Sequence, residues 1–423
     1  MKGFDFQQLA RRVASFAASI IEGPSSSGGR TSVSFGQMHE RAVQLAGRLR
    51  TAGMVHGEVL AIRSSNCIEW VIWDMACLIN GHVLHVFLED LAEPATGEVQ
   101  VRYGYRLFAD ARATGALAHG VCHLMEEAPL ILGPGEPLLS DDPDVYSLVY
   151  SSGSSGAPKG LKISRCGTEY LINQFLNDYQ LDATDRSLMF MPLSNFQQRM
   201  SMYAFLWTGT SFSLTDLDNA YAAARNFSPS YMVAPPSFYE NALQRFPGLP
   251  GAVDSLKNGL GGALRFVHVG MAPATGDPIG RFEAQGIAMY EAYGVTEAGM
   301  VAWNTPKASR AGSVGKPVNP NEVFLDDSGE VIVRRKWPLC LGYFEASQDD
   351  QDNTFRAGDI ATGDFGEFDD DGFLYLRGRS NNQIELPSGV RLQPETIERA
   401  VRGVGAFDCC LAFFDPPRGV LQC

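Results

Sequence analysis

Leu9, Val13, Phe16 and Ile20 recur at helical spacing behind Arg11 and Arg12. This pattern predicts an amphipathic surface helix rather than an export signal, since no cleavage site accompanies it. After the segment GPSSSGG, TSVSF reads as a short strand. Ser34 and Gln37 then stand at capping-box spacing before QMHERAVQLAGRLRTAG, a helix that Gly53 is expected to end. VLAIR reads as a buried strand, Asn66 as the cap of a helix through WVIWDMACLIN, Gly81 as its stop and VLHVF as the next strand. Strand-length apolar runs alternating with helix-length segments predict the α/β fold class.

Between about Glu89 and Pro143, prolines and glycines break the pattern. YSLVY, GLKIS, SLMFMP, YMVAP and LRFVHVG then extend the α/β alternation to about Thr305. Beyond Gly312 the chain changes to short strands and turns, as in EVIVRR and GEFDDDGFLYLRGR, which predicts a β-rich subdomain.

A length of 423 residues exceeds one compact core, so at least two packed units are expected. The net charge of −14 argues against a broad footprint for nucleic acid or anionic membrane, and leaves any phosphate to a local site. No apolar run is long enough to span a bilayer, so no membrane insertion is expected. Eight cysteines without a CxxC pair point to a reducing, cytoplasmic setting, with Cys409 and Cys410 read as alternating strand residues. His82 with His85, and His119 with Cys122 and His123, have spacings a metal could use, but they lack the convergence of a ligand set.

The sharpest chemical feature is SSGSSGAPKG, Ser151 to Gly160, between YSLVY and GLKIS. Glycines let backbone N–H groups approach an anion, hydroxyls add donors, and Lys159 supplies charge. Walker A spacing is absent, and taken alone such a loop is more often a flexible connector. No G-x-S-x-G elbow, H-E-x-x-H or G-x-G-x-x-G opening a helix is present, which sets aside the corresponding hydrolases, metalloproteases and dinucleotide enzymes. Kinase-type motifs and an acceptor-activating base are also missing.

Three further segments follow in order: YEAYGVTEAG at Tyr290 to Gly299, TGD at Thr362 to Asp364, and GRSNNQIELPSGVRLQPETIE. With the serine-rich loop, these resemble the signature motifs of the adenylate-forming superfamily, which holds acyl-CoA synthetases, luciferases and nonribosomal peptide adenylation domains. Weaker similarity begins near Thr31, so the resemblance covers nearly the whole chain. EAGMV, FMPLSNFQQRM and RSNNQIELPSG are similar to the long-chain acyl-CoA synthetase and carboxylic acid reductase branches in particular. The resemblance implies a large N-terminal domain of stacked α/β sheets over residues 1–378, with the β-rich subdomain at about 312–378. It also implies an incomplete small α+β domain over residues 379–423.

The resemblance implies roles residue by residue. Ser151, Ser152, Gly153, Ser154, Ser155, Gly156 and Lys159 would cradle the β- and γ-phosphates of ATP. Thr296 would contact the α-phosphate and Glu297 would hold Mg²⁺, a hard cation suited to carboxylate oxygen. Tyr293 beside Gly294 would stack on adenine, and Gly270, Met271, Ala272 and Pro273 would offer backbone contacts to the base. Asp364 would accept the ribose hydroxyls, Arg379 would reach the nucleotide, and Asn381 would be the hinge of the small domain. A carboxylate would attack the α-phosphorus in line, and a thiol of coenzyme A or of a carrier protein's phosphopantetheine would then take the acyl group. Each residue also has a plain reading, as a turn, a packed aromatic or a solvated polar group.

Three departures from the family pattern bear on these expectations. No lysine occurs after Lys336, so the small-domain lysine of the family is missing and a fragment or shortened enzyme is expected; Asn195 replaces a histidine after PLS; and Glu385 replaces a hinge lysine. Two readings follow. One is a ligase that activates a fatty or aryl acid, alone or as part of a larger synthetase or reductase. The other is a catalytically weak module that binds the nucleotide or acyl-adenylate.

Overall fold

The computed structural model describes the chain apart from residues 1–2, 25–28, 88–101, 114–119, 125–128, 152–158, 250–251, 254, 272–277, 383, 386–390, 393, 395–396, 399–400, 402–410, 416–419 and 423. Among the described residues, nine strands form one sheet in the order Lys316–Pro317, Gly299–Trp303, Ala288–Val295, Phe266–Val269, Tyr231–Ala234, Arg186–Met189, Ser211–Leu214, Ile20–Pro24, Arg30–Ser34. The order reverses around Arg186–Met189, which pairs in parallel with Ser211–Leu214 on one side and with Tyr231–Ala234 on the other. Such a reversal parts the connections that follow the strands, leaving a crevice at their carboxyl ends. A second sheet runs Cys340–Glu345, Lys159–Ser164, Val145–Ser151, Val83–Phe87, Val59–Arg63, Phe108–Asp110, Val121–Cys122.

One apolar layer joins these sheets. It takes Leu60, Leu84, Val149 and Leu161 from the second sheet, Ile21, Phe212 and Tyr231 from the first, and the buried faces of the helices between them. The helix Phe196–Thr208 is buried nearly all round, its polar Gln198 and Arg199 included. Asn195 caps its start, and Gly209 ends it at φ 81°, where an added Cβ would fall 2.4 Å from the Phe16 ring. A third, smaller sheet holds Val323–Leu325, Glu330–Arg334, Asp359–Phe368 and Phe355–Arg356, with Leu374–Arg379 paired to Asp359–Phe368. Its core takes in Tyr293, Val295 and Val301 from the first sheet. Within the β-rich stretch beyond Gly312, Cys340–Glu345 leaves this subdomain to pair with Lys159–Ser164.

Local expectations meet the structure in instructive ways. The helix Phe35–Thr51 starts on the expected capping box, with Gln37 N–H donating to Ser34 Oγ at 3.1 Å and Ser34 N–H to Gln37 Oε1 at 2.9 Å. Gly81 closes the helix Ile68–Asn80 at φ 71°. Asn66 is not the cap of that helix; Cys67 is. The Asn66 side chain instead donates to the Met191 and Thr215 carbonyls and accepts from Leu193 N–H, because burial beside the first sheet offers it stronger partners than a helix end. The N-terminal helix stops at Ser15, and Ile20 opens a strand rather than continuing the apolar stripe, because pairing with Arg30–Ser34 overrides helical periodicity there. Among the described residues, no helix is long and apolar enough to cross a membrane.

Candidate active site

The strand Ala288–Val295 organises the site. Ala292 and Gly294 line a cavity on the face toward the helices Arg165–Tyr179 and Phe196–Thr208, while Tyr293 turns the other way into the core of the small sheet. At Gly294 the backbone approaches closely: a Cβ there would lie 2.5 Å from the Gly299 carbonyl and 2.9 Å from Gln197 Nε2. The glycine of this motif therefore answers a packing demand of the hairpin itself. After Val295 the chain turns through Thr296, Glu297 and Ala298 before Gly299–Trp303 runs back antiparallel.

Two polar clusters flank this hairpin. In the first, the half-buried Glu297 accepts from the Tyr343 hydroxyl, Oη to Oε1, at 3.0 Å. Burial, and then the charge of Glu297, push that hydroxyl's pKa up. Lys159, first residue of its strand, lies with Nζ 5.6 Å from the Tyr343 ring centroid and donates to Asp350 Oδ1 at 2.6 Å. The Lys159 ammonium holds the Asp350 carboxyl below the usual range. Thr296 is half-buried in the same turn.

In the second cluster Asp364 is 4% exposed. Tyr293 donates to its Oδ2 at 2.7 Å, and Arg379 Nε donates to its Oδ1 at 2.8 Å. Register explains the latter contact: the turn through Asp369 to Gly372 sets Arg379 directly opposite Asp364 on the paired strand. Burial, and then the Asp364 charge, raise the Tyr293 hydroxyl well above its ordinary pKa. Tyr293 is 7% exposed, with its side chain packed in the core of the small sheet and its hydroxyl held on Asp364.

Other expected site residues fall as follows. Gly270 and Met271 line the cavity, Met271 at φ 70° and 46% exposed, while Ala272 and Pro273 lie outside the described residues. Ser152, Gly153, Ser154, Ser155 and Gly156 also lie outside them, and Ser151 closes the strand Val145–Ser151. Asn381 sits in the short 3₁₀ turn Ser380–Asn382 directly after Arg379. Asn195, where the family pattern has a histidine, accepts from Gln197 N–H at 3.0 Å as a helix cap. His82 Nδ1 meets the Val55 carbonyl and His85 Nδ1 meets the Tyr105 hydroxyl, so the two rings serve different partners. His119, Cys409 and Cys410 lie outside the described residues.

Sequence reasoning missed Tyr343, Asp350, Arg335 and His268. The first three come from the β-rich stretch, where no spacing ties them to motifs 35 or more residues earlier in the chain, and His268 reads in sequence as a lone polar residue in an apolar strand. The cavity beside the hairpin offers about 80 Å³ to the centre of a water molecule, several times the roughly 10–15 Å³ that admits one water on that measure. Its walls are mainly apolar, with Leu171, Phe175, Met200, Val233 and Trp303 among them.

A parallel-stranded crevice holding an apolar cavity on one side and carboxylates with basic partners on the other is the site of an enzyme acting on a part-apolar molecule and an anionic one. The chain belongs to the AMP-binding enzyme family, whose model matches residues 6–343. It is similar to a long-chain-fatty-acid–CoA ligase of Mycobacterium bovis, 28% identical over 84% of this chain and 70% of that protein. It is also similar to a 2-succinylbenzoate–CoA ligase of Bacillus licheniformis, 26% identical over 86% of this chain and 78% of that protein. Among solved structures, the anthranilate CoA ligase AuaEII in complex with anthranoyl-AMP superposes with a TM-score of 0.80 at 20% identity, covering 99% of this chain and 85% of that one. The mixed α/β fold is thus that of the adenylate-forming enzymes.

Proposed function

We propose that this chain uses ATP to convert a fatty or aryl carboxylic acid to its acyl-adenylate, releasing pyrophosphate, and passes the acyl group to the thiol of coenzyme A. The relatives are CoA ligases, and a related fold was solved with an acyl-adenylate bound. The observation that carries the reading is the Ala288–Val295 hairpin. Its successive residues wall an apolar cavity with Ala292 and Gly294, anchor Asp364 through Tyr293, and present Thr296 and Glu297 at the turn. An acid in the cavity would bring its carboxylate to that turn, where a nucleotide's α-phosphate would meet it.

In this reading Asp364 takes the ribose hydroxyls, with Tyr293 and Arg379 holding its two oxygens in place. Tyr293 thereby orients the carboxylate, and Gly270 to Pro273 supply backbone contacts to the base. Lys159 and the loop Ser151 to Gly156 hold the β- and γ-phosphates, Lys159 exchanging Asp350 for phosphate. Glu297 is the proposed protein ligand for Mg²⁺; among the described residues no three His, Cys, Asp or Glu side chains converge as a metal site. A single carboxylate suits a cation that keeps waters and nucleotide oxygens as its other ligands. Bound there, magnesium would neutralise charge on the phosphates. Residues 1–378 form the main catalytic unit in this reading, the span 312–378 its β-rich part, and residues 379–423 belong to a second, smaller unit that turns about Asn381. A carrier-protein phosphopantetheine is the alternative acceptor, and ATP with a CoA-type thiol fits a cytoplasmic setting.

ATP–pyrophosphate exchange with Mg²⁺ across fatty and aryl acids tests the reading. Acid-dependent exchange is expected, reduced at least about 100-fold by Glu297→Ala, with ATP binding weakened about 10-fold or more by Asp364→Ala. A folded chain that shows neither exchange nor ATP binding would refute it.

A further inference from the structure

His268 lines the acid cavity, and its ring is nearly enclosed, at 5% exposure. Its Nδ1 lies 2.8 Å from the hydroxyl of Tyr231, which lines the same cavity and is 1% exposed. Among the described residues no second partner for that hydroxyl is recorded, and Nε2 of His268 is buried with none at all. Counting satisfied groups assigns the tautomer. If Nδ1 carried the proton, the Tyr231 hydroxyl hydrogen and Nε2 would both be left unsatisfied. If Tyr231 donates to Nδ1, its hydrogen is used and the imidazole proton sits on Nε2. His268, on the cavity wall, then carries one buried N–H with no acceptor among the described residues, and a group of this kind is costly until something accepts from it.

We infer that His268 is a specificity-determining residue, whose Nε2–H donates to an uncharged hydrogen-bond acceptor on the acid, such as a carbonyl, ether or hydroxyl oxygen. The inference rests on the acid-activating reading above and names the class of acid. Burial lowers the His268 pKa to about 3, so the ring is neutral in the working range and does not offset a second carboxylate. The surrounding walls, Leu171, Phe175, Val233 and Trp303, suit an aryl or alkyl body rather than a chain of polar groups. Gln197, Gln198 and Ser201 also line the cavity, so the acid is mainly apolar, with His268 the donor assigned to its uncharged acceptor. Tyr231 is a positioning residue, acting through the tautomer it imposes.

The test compares phenylpropanoic acid with its ortho, meta and para acetyl and methoxy derivatives, by ATP–pyrophosphate exchange and by calorimetric binding of each acid to the full chain. At least one derivative is expected to exceed the parent about 10- to 100-fold in kcat/KM and in affinity. His268→Leu should bring that ratio to within about twofold, and His268→Gln, which restores a donor, should recover part of it. No preference in the folded wild-type chain, or a preference that survives His268→Leu, would overturn the proposal. If His268→Leu does not melt cooperatively, Tyr231→Phe decides, because releasing the tautomer should lower the ratio and an unchanged ratio overturns the assignment. Acids that bind with the expected preference but support no exchange would sustain the His268 proposal and defeat the activity reading. A chain that binds none of them defeats the His268 proposal whether or not ATP binds.

Discussion

His85 and His268 lie in separate aromatic clusters. His85 has Phe87, Tyr103, Tyr105, Tyr150 and Phe344 around it, and His268 has Phe175, Tyr179, Tyr231, Phe266 and Tyr290. Burial lowers each imidazole from about 6.5 to about 3. In the unfolded chain both take up protons as the pH falls through 6.5, while the folded chain resists until about 3, so the unfolded state binds more protons across that window. Stability is therefore expected to fall on acidification below pH 6.5, by ~2 kcal/mol for each imidazole on reaching pH 5. Urea titrations at a series of pH values check this. His85→Phe should flatten the acid limb, and an unchanged slope would place the sensitivity on other groups. In the sequence His85 stands at a strand position, as observed; what encloses it, apart from Phe87 of its own strand, comes from three distant segments.

At the scale of elements, the turn bearing Thr296 and Glu297 is held from outside. Arg335, one residue past the strand Glu330–Arg334, is 7% exposed and donates Nη1 to the Ala298 carbonyl and Nη2 to the Met300 carbonyl, both at 2.5 Å, and Nε to Glu322 Oε2 at 3.0 Å. The planar fork spans two carbonyls of one hairpin and a carboxylate at once, a geometry lysine cannot copy. Arg335→Ala is expected to cost about 3–5 kcal/mol, by leaving Glu322 uncompensated and two carbonyls unpaired. Arg335→Lys should fold better yet lower kcat in acid adenylation more than it raises the KM for acid. Chemical denaturation and steady-state exchange measure the two effects, and wild-type kcat in a folded Arg335→Lys chain would show that the turn needs no such brace. Boundaries such as the Ser34 capping box and the Gly81 stop were legible because they depend on neighbours in sequence, whereas Arg335 acts across 35 to 37 residues.

At the scale of the molecule, Arg199 ties the layers together. Its guanidinium meets Asp74 with Nε and Nη2, and donates from Nη1 to Ser147 Oγ at 2.5 Å. It thereby joins the helix Phe196–Thr208, the helix Ile68–Asn80 and the second sheet, with side chains of Arg199 and Asp74 no more than 1% exposed. Removing one partner strands a charge in the central layer, so Arg199→Ala is expected to destabilise by about 3–5 kcal/mol. Replacing both, as Arg199→Met with Asp74→Leu, should recover most of that loss. A double-mutant cycle followed by tryptophan fluorescence in urea tests it, and additive losses would mean that the pair is not coupled.

By itself the sequence determined the alternation of strands and helices, the β-rich change beyond Gly312, and the motifs at Ser151, Tyr290 and Thr362. Apolar periodicity, caps and glycine turns are local physics, and motif resemblance is read residue by residue. Tertiary structure alone decided that Tyr293 turns away from the cavity to brace Asp364, that Asn66 ties segments instead of capping a helix, and that Tyr343 and Asp350 share a cluster with Glu297 and Lys159. It alone enclosed His268 with Tyr231 and so left Nε2 facing no partner among the described residues. These are consequences of pairing between strands far apart in the chain, where the register chooses which side chains meet and burial sets what each contact is worth.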